Sequence, residues 1–484
     1  MQHDEKPLLV NTQLRAGALR FPALLMQGIT HIAPAVGLVL SIQYITSLAG
    51  VAAPSAYAIA VLIILALGIS LAQLARHLPS AGGYYTYISR SVHPRAGFLT
   101  GWLYLLYDPT ATAINIAFMA IFFERAMSAE YGLSFPWWLF FIVTVAILTW
   151  VVYRGIAPST NAMVVFGLAE IAIVVALAAW GLAKPGPGGV NLASYSPSHA
   201  PSLGALSLGV VFSIFSVAGF DGIVPLAEES ENPRKNQPRA ILLAILITGA
   251  FYLFCSWAVL IGWGTNDVKS FSDSLENPCF VLARRFWGRA WVLILVAVLN
   301  SVFAVSIAST NAATRVLFAL GRAGVLPRSL SRVHPKNLTP STAIWVQTFL
   351  TLGIGLGLGF WIGPDQEFYF MGVVITLALV IVYSVANYGV FRFYRTERKS
   401  EFRWWLHIFC PLVSTAALIW VAFASIYANP PPPVRYAPVV ILGWSLLGMV
   451  VLFVFSRTGR EAWILRASGE MREAVVTPTS SGMD

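Results

Sequence analysis

Apolar segments of about twenty residues recur along almost the whole chain, and this pattern restricts the fold more than any other feature. A helix of about twenty apolar residues spans the hydrocarbon core of a bilayer. Hydrophobic residues make up 57% of the 484 residues and charged residues 11%, which excludes a soluble protein of this length. We therefore predict an all-α polytopic membrane protein with twelve transmembrane helices, at roughly 22–48, 54–75, 96–124, 135–153, 160–183, 205–229, 239–263, 291–319, 340–362, 368–391, 405–427 and 435–455.

The basic residues indicate how these helices are oriented. Residues 1–20 are polar and include acidic residues, so we expect a tail rather than a cleavable signal peptide. Most of the 31 Lys and Arg lie in this tail, in a second tail at 458–484, or in loops on the same side of the bilayer. The opposite side carries only Arg125, Lys184, Lys269, Arg284, Arg285, Arg289 and Arg435. Basic residues accumulate on the cytoplasmic side, which predicts a multi-pass protein of the cell membrane with both termini in the cytoplasm.

Several kinds of site are not expected. The net charge of +10 follows from the basic loops and does not require a nucleic-acid partner. The three cysteines, Cys255, Cys279 and Cys410, are too scattered for a disulfide framework or a metal site. Because HExxH, GxSxG and P-loop patterns are missing from the sequence, we predict neither an enzyme nor a resident metal or cofactor.

Two of the predicted helices contain residues that break helices. The first includes GITHIAPAVG (28–37), in which Pro34 lacks an amide donor. The sixth includes FSIFSVAGFDGIVPLAEE (212–229), which places Gly219 and Asp221 after an apolar run. The breaks occupy matching positions in two blocks of five helices, and an odd number of helices inverts the second block. Two unrelated kinks would not explain this match, whereas broken helices in inverted repeats are typical of secondary transporters that bind substrate near the bilayer midplane.

These breaks provide the polar groups of the predicted substrate site. Unwinding a helix frees amide N–H groups at one half-helix end and carbonyl oxygens at the other, which suits a zwitterion or an amine. The first break contributes donors, and the predicted substrate contacts there are Ala33, Pro34, Ala35, Val36 and Gly37. The second contributes carbonyl oxygens, with predicted contacts at Phe215, Ser216, Val217 and Ala218. Ser309 in the eighth helix is a further predicted substrate contact.

Four segments resemble the amino acid-polyamine-organocation superfamily of permeases: LARHLPSAGGYYTYISR (74–90), GFLTGWLY (97–104), AGFDGIVPLAEESENPRKNQPRAI (218–241) and NAATRVLFALGRAGVLP (311–327). The resemblance covers ten helices. It implies a five-plus-five inverted repeat formed by residues 21–184 and 204–394, with two further helices within 404–457. It also implies transport of amino acids or related amines by alternating access. Carried over by position, it makes Phe215 the gating aromatic, Ala218 a carbonyl contact for the amine, and Asp221 the acidic position that follows.

The chain departs from this superfamily at two positions. Many of its amino acid carriers have Gly-(Ser/Thr)-Gly in the first break, where this chain has Pro34, Ala35 and Val36. One amide donor is therefore missing, which makes substrates without an α-carboxylate more plausible. Several members have a lysine in the fifth helix that substitutes for a cation, whereas this chain has Glu170 there. This second departure leaves the coupling ion open.

Acidic residues within the predicted helices each have a functional and a structural interpretation. Asp108 lies four residues before Thr112, so both side chains are predicted to face the breaks and contact the substrate. A carboxylate in this position favours a basic amino acid or a small amine as the substrate. Glu228 and Glu229 are expected to form ion pairs with the basic residues at 234–235 and to end the sixth helix.

Proton coupling is the preferred hypothesis, and sodium coupling is the alternative. A proton would be carried by Asp221, Glu170 or His31, although each of these also suits a hydrogen-bonded packing role. Sodium would use the hydroxyl oxygens of Ser309 and Thr310 together with carbonyl oxygens of the first break. Outside transport, the alternative is an amine sensor of the same fold. The sequence does not indicate the exact substrate or the oligomeric state.

Overall fold

The computed structural model describes residues 14–427 and 431–457, and for 129–131 and 157–162 it describes the backbone alone. Besides the α-helices, the structure has a 3₁₀ segment, Phe220–Glu229, and a π-helical turn, Trp405–Phe409. The α-helices are α1 (Phe21–Ile32), α2 (Pro34–Val39), α3 (Ile42–Ala49), α4 (Ala53–His77), α5 (Tyr84–Ser91), α6 (Pro94–Tyr104), α7 (Asp108–Tyr131), α8 (Trp137–Arg154), α9 (Ile156–Ala183), α10 (Leu203–Val217), α11 (Pro233–Trp263), α12 (Val268–Ser272), α13 (Pro278–Trp287), α14 (Val292–Arg322), α15 (Ser341–Ile362), α16 (Pro364–Thr396), α17 (Cys410–Tyr427) and α18 (Ala437–Arg457).

The described helices confirm the predicted class. Twelve stretches are long and apolar enough to cross a membrane, and no β-strand occurs within the described ranges. The first predicted helix is divided into α1, α2 and α3, and the third is divided into α6 and α7. The division of the third helix was not predicted. It follows from Pro109, which stands in the first turn of α7 and cannot continue a preceding helix.

The two predicted breaks lie against each other. In the first, Ala33 adopts a left-handed conformation with φ of 55° between α1 and α2. In the second, Gly219 has φ of 117° between α10 and the 3₁₀ segment. A Cβ atom on Gly219 would lie 2.6 Å from the carbonyl oxygen of His31. Glycine is therefore required at 219 both for its backbone conformation and for the close approach of the two broken helices.

We call the end of the bundle at which Leu19 and Ser230 lie the terminal end. Main-chain and side-chain contacts of the second broken helix close this end. The amide of Leu19 donates to the carbonyl of Glu229 (2.9 Å), and the amide of Glu231 donates to the carbonyl of Leu19 (2.9 Å). These two bonds form a one-residue parallel bridge between Leu19 and Ser230. The segment before α1 is thus joined to the segment after the 3₁₀ helix.

The last two helices pack on the outside of the bundle. Helix α17 packs on α4 and α16, and α18 packs on α6 and α16. Trp102 and Trp444 join α18 to α6, since each indole N–H donates to the other residue's carbonyl oxygen at 2.9 Å. Their rings stack with centroids 4.7 Å apart. The described part of the bundle therefore has a broken-helix centre surrounded by continuous helices, whereas the repeat arrangement stays a prediction.

Candidate substrate and coupling site

A buried histidine connects the two broken helices. His31 stands in the last turn of α1, and its Nδ1 lies 2.7 Å from the carbonyl oxygen of Gly219. A carbonyl oxygen only accepts hydrogen bonds, so Nδ1 carries a hydrogen and donates it. Nε2 lies 3.1 Å from Ser309 Oγ and 3.0 Å from Asp108 Oδ1. The imidazole is therefore held by the second break on one side and faces a carboxylate on the other.

Asp108 begins α7 and is fully buried. The negative charge of a carboxylate at a helix N-terminus is stabilised by the helix dipole. The phenol of Tyr104 donates to its Oδ2 at 2.8 Å, while Oδ1 contacts His31. Both oxygens of Asp108 thus have polar neighbours. One accepts a hydrogen bond from the neutral phenol of Tyr104, and the other contacts the titratable ring of His31.

Asp221 is also fully buried, but its environment differs from that of Asp108. Within the described residues, neither of its carboxylate oxygens has a hydrogen-bond partner. The phenols of Tyr84 and Tyr383 face Asp221 without a directed hydrogen bond. A buried and unpaired carboxylate is expected to bind a cation or a proton.

Tyrosine rings surround the three titratable groups. The centroid of the Tyr107 ring lies 5.6 Å from that of His31 and 5.4 Å from that of Tyr104. The Tyr84 ring lies 5.5 Å from Tyr104 and 5.8 Å from Tyr383. We call His31, Asp108, Asp221 and these four tyrosines the central cluster. Aromatic faces attract cations, so the tyrosine rings of the cluster favour a positively charged ligand, as its carboxylates do.

A single glycine allows the imidazole to lie between the carboxylates. A Cβ atom on Gly222 would lie 2.1 Å from His31 Nδ1. Any larger residue at 222 would therefore push the ring away from Gly219 and Asp108. This glycine therefore makes room for the imidazole.

The hydroxyl groups proposed for sodium are engaged by protein side chains. Ser309 Oγ contacts His31, and Thr310 Oγ1 lies 3.3 Å from Thr112 Oγ1. Thr112 also donates to the carbonyl oxygen of Asp108 at 3.2 Å. Asp108 contacts the first broken helix through His31, and Thr112 contacts α14 through Thr310, so substrate contact by either residue stays a prediction. A sodium role for Ser309 and Thr310 stays untested.

Glu170 lies apart from the central cluster. Its Oε1 accepts a hydrogen bond from Ser301 (3.0 Å), and its Oε2 accepts one from Asn300 (3.1 Å), both on α14. The backbone amide of Ala35 also faces this carboxylate. Glu170 therefore contacts the start of α2 rather than His31 or Ser309, and any coupling role stays a prediction.

Several backbone groups that were predicted to contact substrate are already bonded within the protein. The amide of Val36 donates to Ser301 Oγ at 3.4 Å, and the amide of Gly37 donates to the carbonyl of Ala33 at 2.8 Å. In the second break, the phenol of Tyr252 donates to the carbonyl oxygen of Ser216 at 2.7 Å. Tyr252 was missed from the sequence because its helix, α11, carries no break. Val217 is buried and Ala218 is half-buried beside this bond.

Phe215, the predicted gate, is partly exposed in this structure. Its side chain is 41% exposed, and its Cζ lies 3.7 Å from the position of a Cβ on Gly372 of α16. Phe212 is also exposed, because a spacing of three residues places both rings on the same face of α10. The gating role of Phe215 stays a prediction.

The acidic pair at the end of the 3₁₀ segment has partners other than those predicted. Glu229 pairs with Arg315 (2.7 Å), and Glu228 pairs with Arg322 on the same helix, α14. The expected pairing with residues 234–235 is wrong. Asn232 adopts a left-handed conformation just before α11, which turns the chain and separates these cations from the acids.

Comparison with known proteins identifies the family. Residues 23–462 match the amino acid permease model. The chain belongs to the amino acid permease family. It is similar to the low-affinity putrescine importer PlaP of Escherichia coli K12, with 27% identity over 470 residues that cover 95% of this chain and 98% of PlaP. It is also similar to the branched-chain amino acid permease BcaP of Bacillus subtilis, with 26% identity over 83% of this chain and 85% of BcaP.

The name of a third relative gives a different class of substrate, neither an amine nor an amino acid. The methylthioribose transporter of Bacillus subtilis is 27% identical over 403 residues, which cover 80% of this chain and 82% of that transporter. The family and these relatives are transporters rather than enzymes. The permease is therefore a secondary transporter in a membrane, as the broken helices indicate.

Proposed function

We propose that this permease imports a small organic amine across the cell membrane together with a proton. The observation that carries the proposal is the unequal pairing of the two buried carboxylates. Asp108 contacts His31 and Tyr104, whereas Asp221 has no hydrogen-bond partner among the described residues. Asp221 is accordingly assigned to the substrate ammonium group and His31 to the proton.

Charge balance explains why the two cations move together. A protonated His31 neutralises Asp108, and one ammonium group neutralises Asp221. If only one ammonium group lies in the cluster and either cation is missing, a net negative charge stays in a buried site, which is costly at low dielectric. With both cations present the cluster is neutral and can pass through an occluded state at the bilayer midplane, and the second ammonium group of a diamine has to lie outside the cluster.

The comparison with PlaP supports an amine rather than a neutral amino acid. The name of PlaP describes it as a putrescine importer, and its similarity to this chain extends over nearly the whole of both proteins. The tyrosine walls of the central cluster also suit ammonium and methylene groups together, because aromatic rings contact both favourably. Putrescine is therefore the first substrate to test. In this proposal the terminal end faces the cytoplasm and is closed, so substrate enters from outside.

The test is putrescine uptake by the purified permease in liposomes without sodium. We expect uptake to be faster when the outside is acidic than when both sides have the same pH. Asp221→Asn is expected to abolish uptake, and His31→Gln is expected to retain putrescine binding while losing the response to the pH gradient. Asp273→Asn removes an exposed acid from the loop after α12 and provides the control.

Three results would contradict the proposal. Strict dependence on sodium would favour the alternative coupling ion and would direct attention to Ser309 and Thr310. Binding of putrescine without any uptake would favour an amine sensor. Uptake of branched-chain amino acids but not of amines would show that the unpaired Asp221 does not select the substrate.

A further inference from the structure

A groove on the outer surface of the bundle is formed by α9, α13 and the start of α14, and we call it the α9–α13 groove. Its volume is about 620 Å³. Its lining combines the small side chains of Ala172 and Ala176 in α9 with the aromatic rings of Trp180, Phe286 and Trp287. Because α9 forms a candidate membrane span, this groove faces the hydrocarbon of the bilayer.

The α9–α13 groove lies at the end of the bundle opposite the terminal end. Helix α11 begins three residues after Ser230 of the terminal end, and its 31 residues carry the chain about 46 Å away. Beyond α9, the amide of Gly186 donates to the carbonyl of Ile261 near the far end of α11 at 2.9 Å. A Cβ atom on the adjacent Gly262 would lie 3.5 Å from the Phe286 ring. The groove thus adjoins the end that is predicted to be extracellular.

Basic residues are concentrated beside this groove. Only seven of the 31 Lys and Arg are predicted to lie on this side of the membrane, and three of them, Arg284, Arg285 and Arg289, lie in or next to α13. Arg284 pairs with Glu276 at 2.6 Å. Arg285 and Arg289 are exposed and form no ion pair with any described residue. The Arg285 guanidinium lies 6.0 Å from the centroid of the Phe286 ring, so this cation stands at the edge of the groove.

Topology does not explain these two unpaired cations. Positive charge accumulates in cytoplasmic loops, so Arg285 and Arg289 oppose the predicted orientation of the chain. Arg289 directly precedes Ala290, which also lines the groove. A guanidinium binds a phosphate group through two parallel hydrogen bonds. Both arginines are therefore available to a phosphate group at the edge of the groove.

The groove and the two arginines suit different parts of one ligand. Acyl chains gain dispersion contacts along a groove, and Trp rings accumulate where the hydrocarbon meets the lipid headgroups. A free anion would use the arginines but not the groove, whereas a neutral lipid would use the groove but not the arginines. An anionic phospholipid uses both, because its phosphate group and its acyl chains are joined.

We infer that the α9–α13 groove binds an anionic phospholipid of the surrounding bilayer, with an acyl chain against Ala172 and Ala176 and the phosphate group at Arg285 and Arg289. Helix α13 packs on α9, and the lipid contacts both, so its binding stabilises their packing. The groove shares no residue with the central cluster. Lipid binding is therefore measured without transport, and failure of the proposed function leaves this inference standing.

The experiment follows lipid binding to the purified permease by native mass spectrometry during titration with phosphatidylglycerol or phosphatidylcholine. We expect the wild-type protein to retain phosphatidylglycerol at concentrations at which phosphatidylcholine is lost. Arg285→Gln combined with Arg289→Gln is expected to lower the affinity for phosphatidylglycerol by about tenfold or more, because two phosphate contacts are removed. Both side chains are exposed, so this variant is expected to fold. Equal retention of the two lipids by the wild type would refute the inference.

A matched control removes two other cations from the same predicted side. Lys269 in α12 and Arg435 in the 3₁₀ turn before α18 are exposed and lie outside the α9–α13 groove. Lys269→Gln combined with Arg435→Gln makes the same change in net charge and is expected to leave the affinity for phosphatidylglycerol unchanged. An equal loss in both double variants would show that net charge retains the lipid, and the inference would be wrong.

A second pair of variants tests the groove without changing the charge. Ala176→Phe places a ring in the groove, whereas Ala179→Phe adds the same ring at an exposed position of α9 that does not line it. We expect only Ala176→Phe to weaken phosphatidylglycerol binding. If Ala176→Phe binds this lipid as tightly as the wild type, the acyl chain does not lie in the groove and the assignment fails.

A comparison of ligands on the wild-type protein separates a lipid site from a site for free anions. Inorganic phosphate and glycerophosphoglycerol carry the anionic group without acyl chains, and we expect neither to displace phosphatidylglycerol. Added phosphatidylglycerol is expected to raise the thermal unfolding temperature more than phosphatidylcholine does, and the double arginine variant is expected to lose this difference. Displacement of the lipid by an equal concentration of inorganic phosphate would overturn the lipid assignment.

Discussion

Removing Arg315 is expected to destabilise the closed terminal end far more than removing Arg322, although both arginines pair with adjacent acids. Arg315 is completely buried, and it donates to Glu229 from Nε (2.7 Å) and Nη2 (3.2 Å). Arg322 pairs with Glu228, but these side chains are 39% and 26% exposed. The two pairs therefore have similar geometry and different solvent access.

The expected magnitudes follow from this difference in burial. Breaking a buried ion pair by removing one partner costs about 3–5 kcal/mol, because the other charge is left buried and unpaired. An exposed pair contributes about 0–1 kcal/mol, since water and salt screen it. We expect Arg315→Gln to lower the free energy of unfolding by several kcal/mol. The corresponding loss for Arg322→Gln is expected to stay within about 1 kcal/mol.

The assay is unfolding of the purified variants in mixed detergent micelles, combined with labelling of a cysteine introduced at Ser230, which lies at the main-chain bridge. Arg315→Gln should speed labelling, because the pair joins the 3₁₀ segment to α14 at the end that must open. Replacing both partners, as Arg315→Met with Glu229→Leu, should recover much of the stability, since no unpaired charge stays buried. Equal losses for Arg315→Gln and Arg322→Gln, or no recovery in the double variant, would refute the reasoning.

Three further variants test the central cluster and the predicted gate. Asp108→Asn removes the carboxylate that pairs with His31 and should abolish the response of uptake to the pH gradient while putrescine still binds, and an unchanged pH response would make Asp108 structural. Gly222→Ala should abolish uptake while the protein still folds, because the added Cβ would lie 2.1 Å from His31 Nδ1; normal uptake would show that the imidazole position does not matter. Phe215→Ala should slow substrate exchange without lowering thermal stability, since the ring is 41% exposed, and unchanged exchange would argue against a gate.

The sequence was sufficient to predict features that depend on neighbouring residues. Apolar length predicted the twelve membrane helices, and Pro34 and Gly219 predicted the two breaks. These features are local, because a helix forms or breaks according to residues within a few turns. The family resemblance added the expected transport function, which the comparison with known permeases confirms.

Side-chain partners could not be predicted in the same way, because they come from helices that are distant in the sequence. Glu229 was expected to pair with nearby cations, yet it pairs with Arg315 of α14. The tyrosines of the central cluster were overlooked, although YYTY at 84–87 and LYLLYD at 103–108 contain three of the four. Repeated tyrosines close to an acidic residue within a membrane helix were the available signal. The depth of Glu170 was evident from the sequence, but its contact with the start of α2 required the packed structure.

The one-residue bridge between Leu19 and Ser230 gives the permease two built-in reporters of its own opening. The amide hydrogens of Leu19 and Glu231 are held in main-chain bonds of 2.9 Å, and we expect these bonds to break when the terminal end opens. Their exchange with deuterium should therefore follow the fraction of time that this end is open, without any label or mutation. A substrate that favours opening of the terminal end should speed the exchange of both amides together, whereas one that favours the state open at the opposite end should slow it.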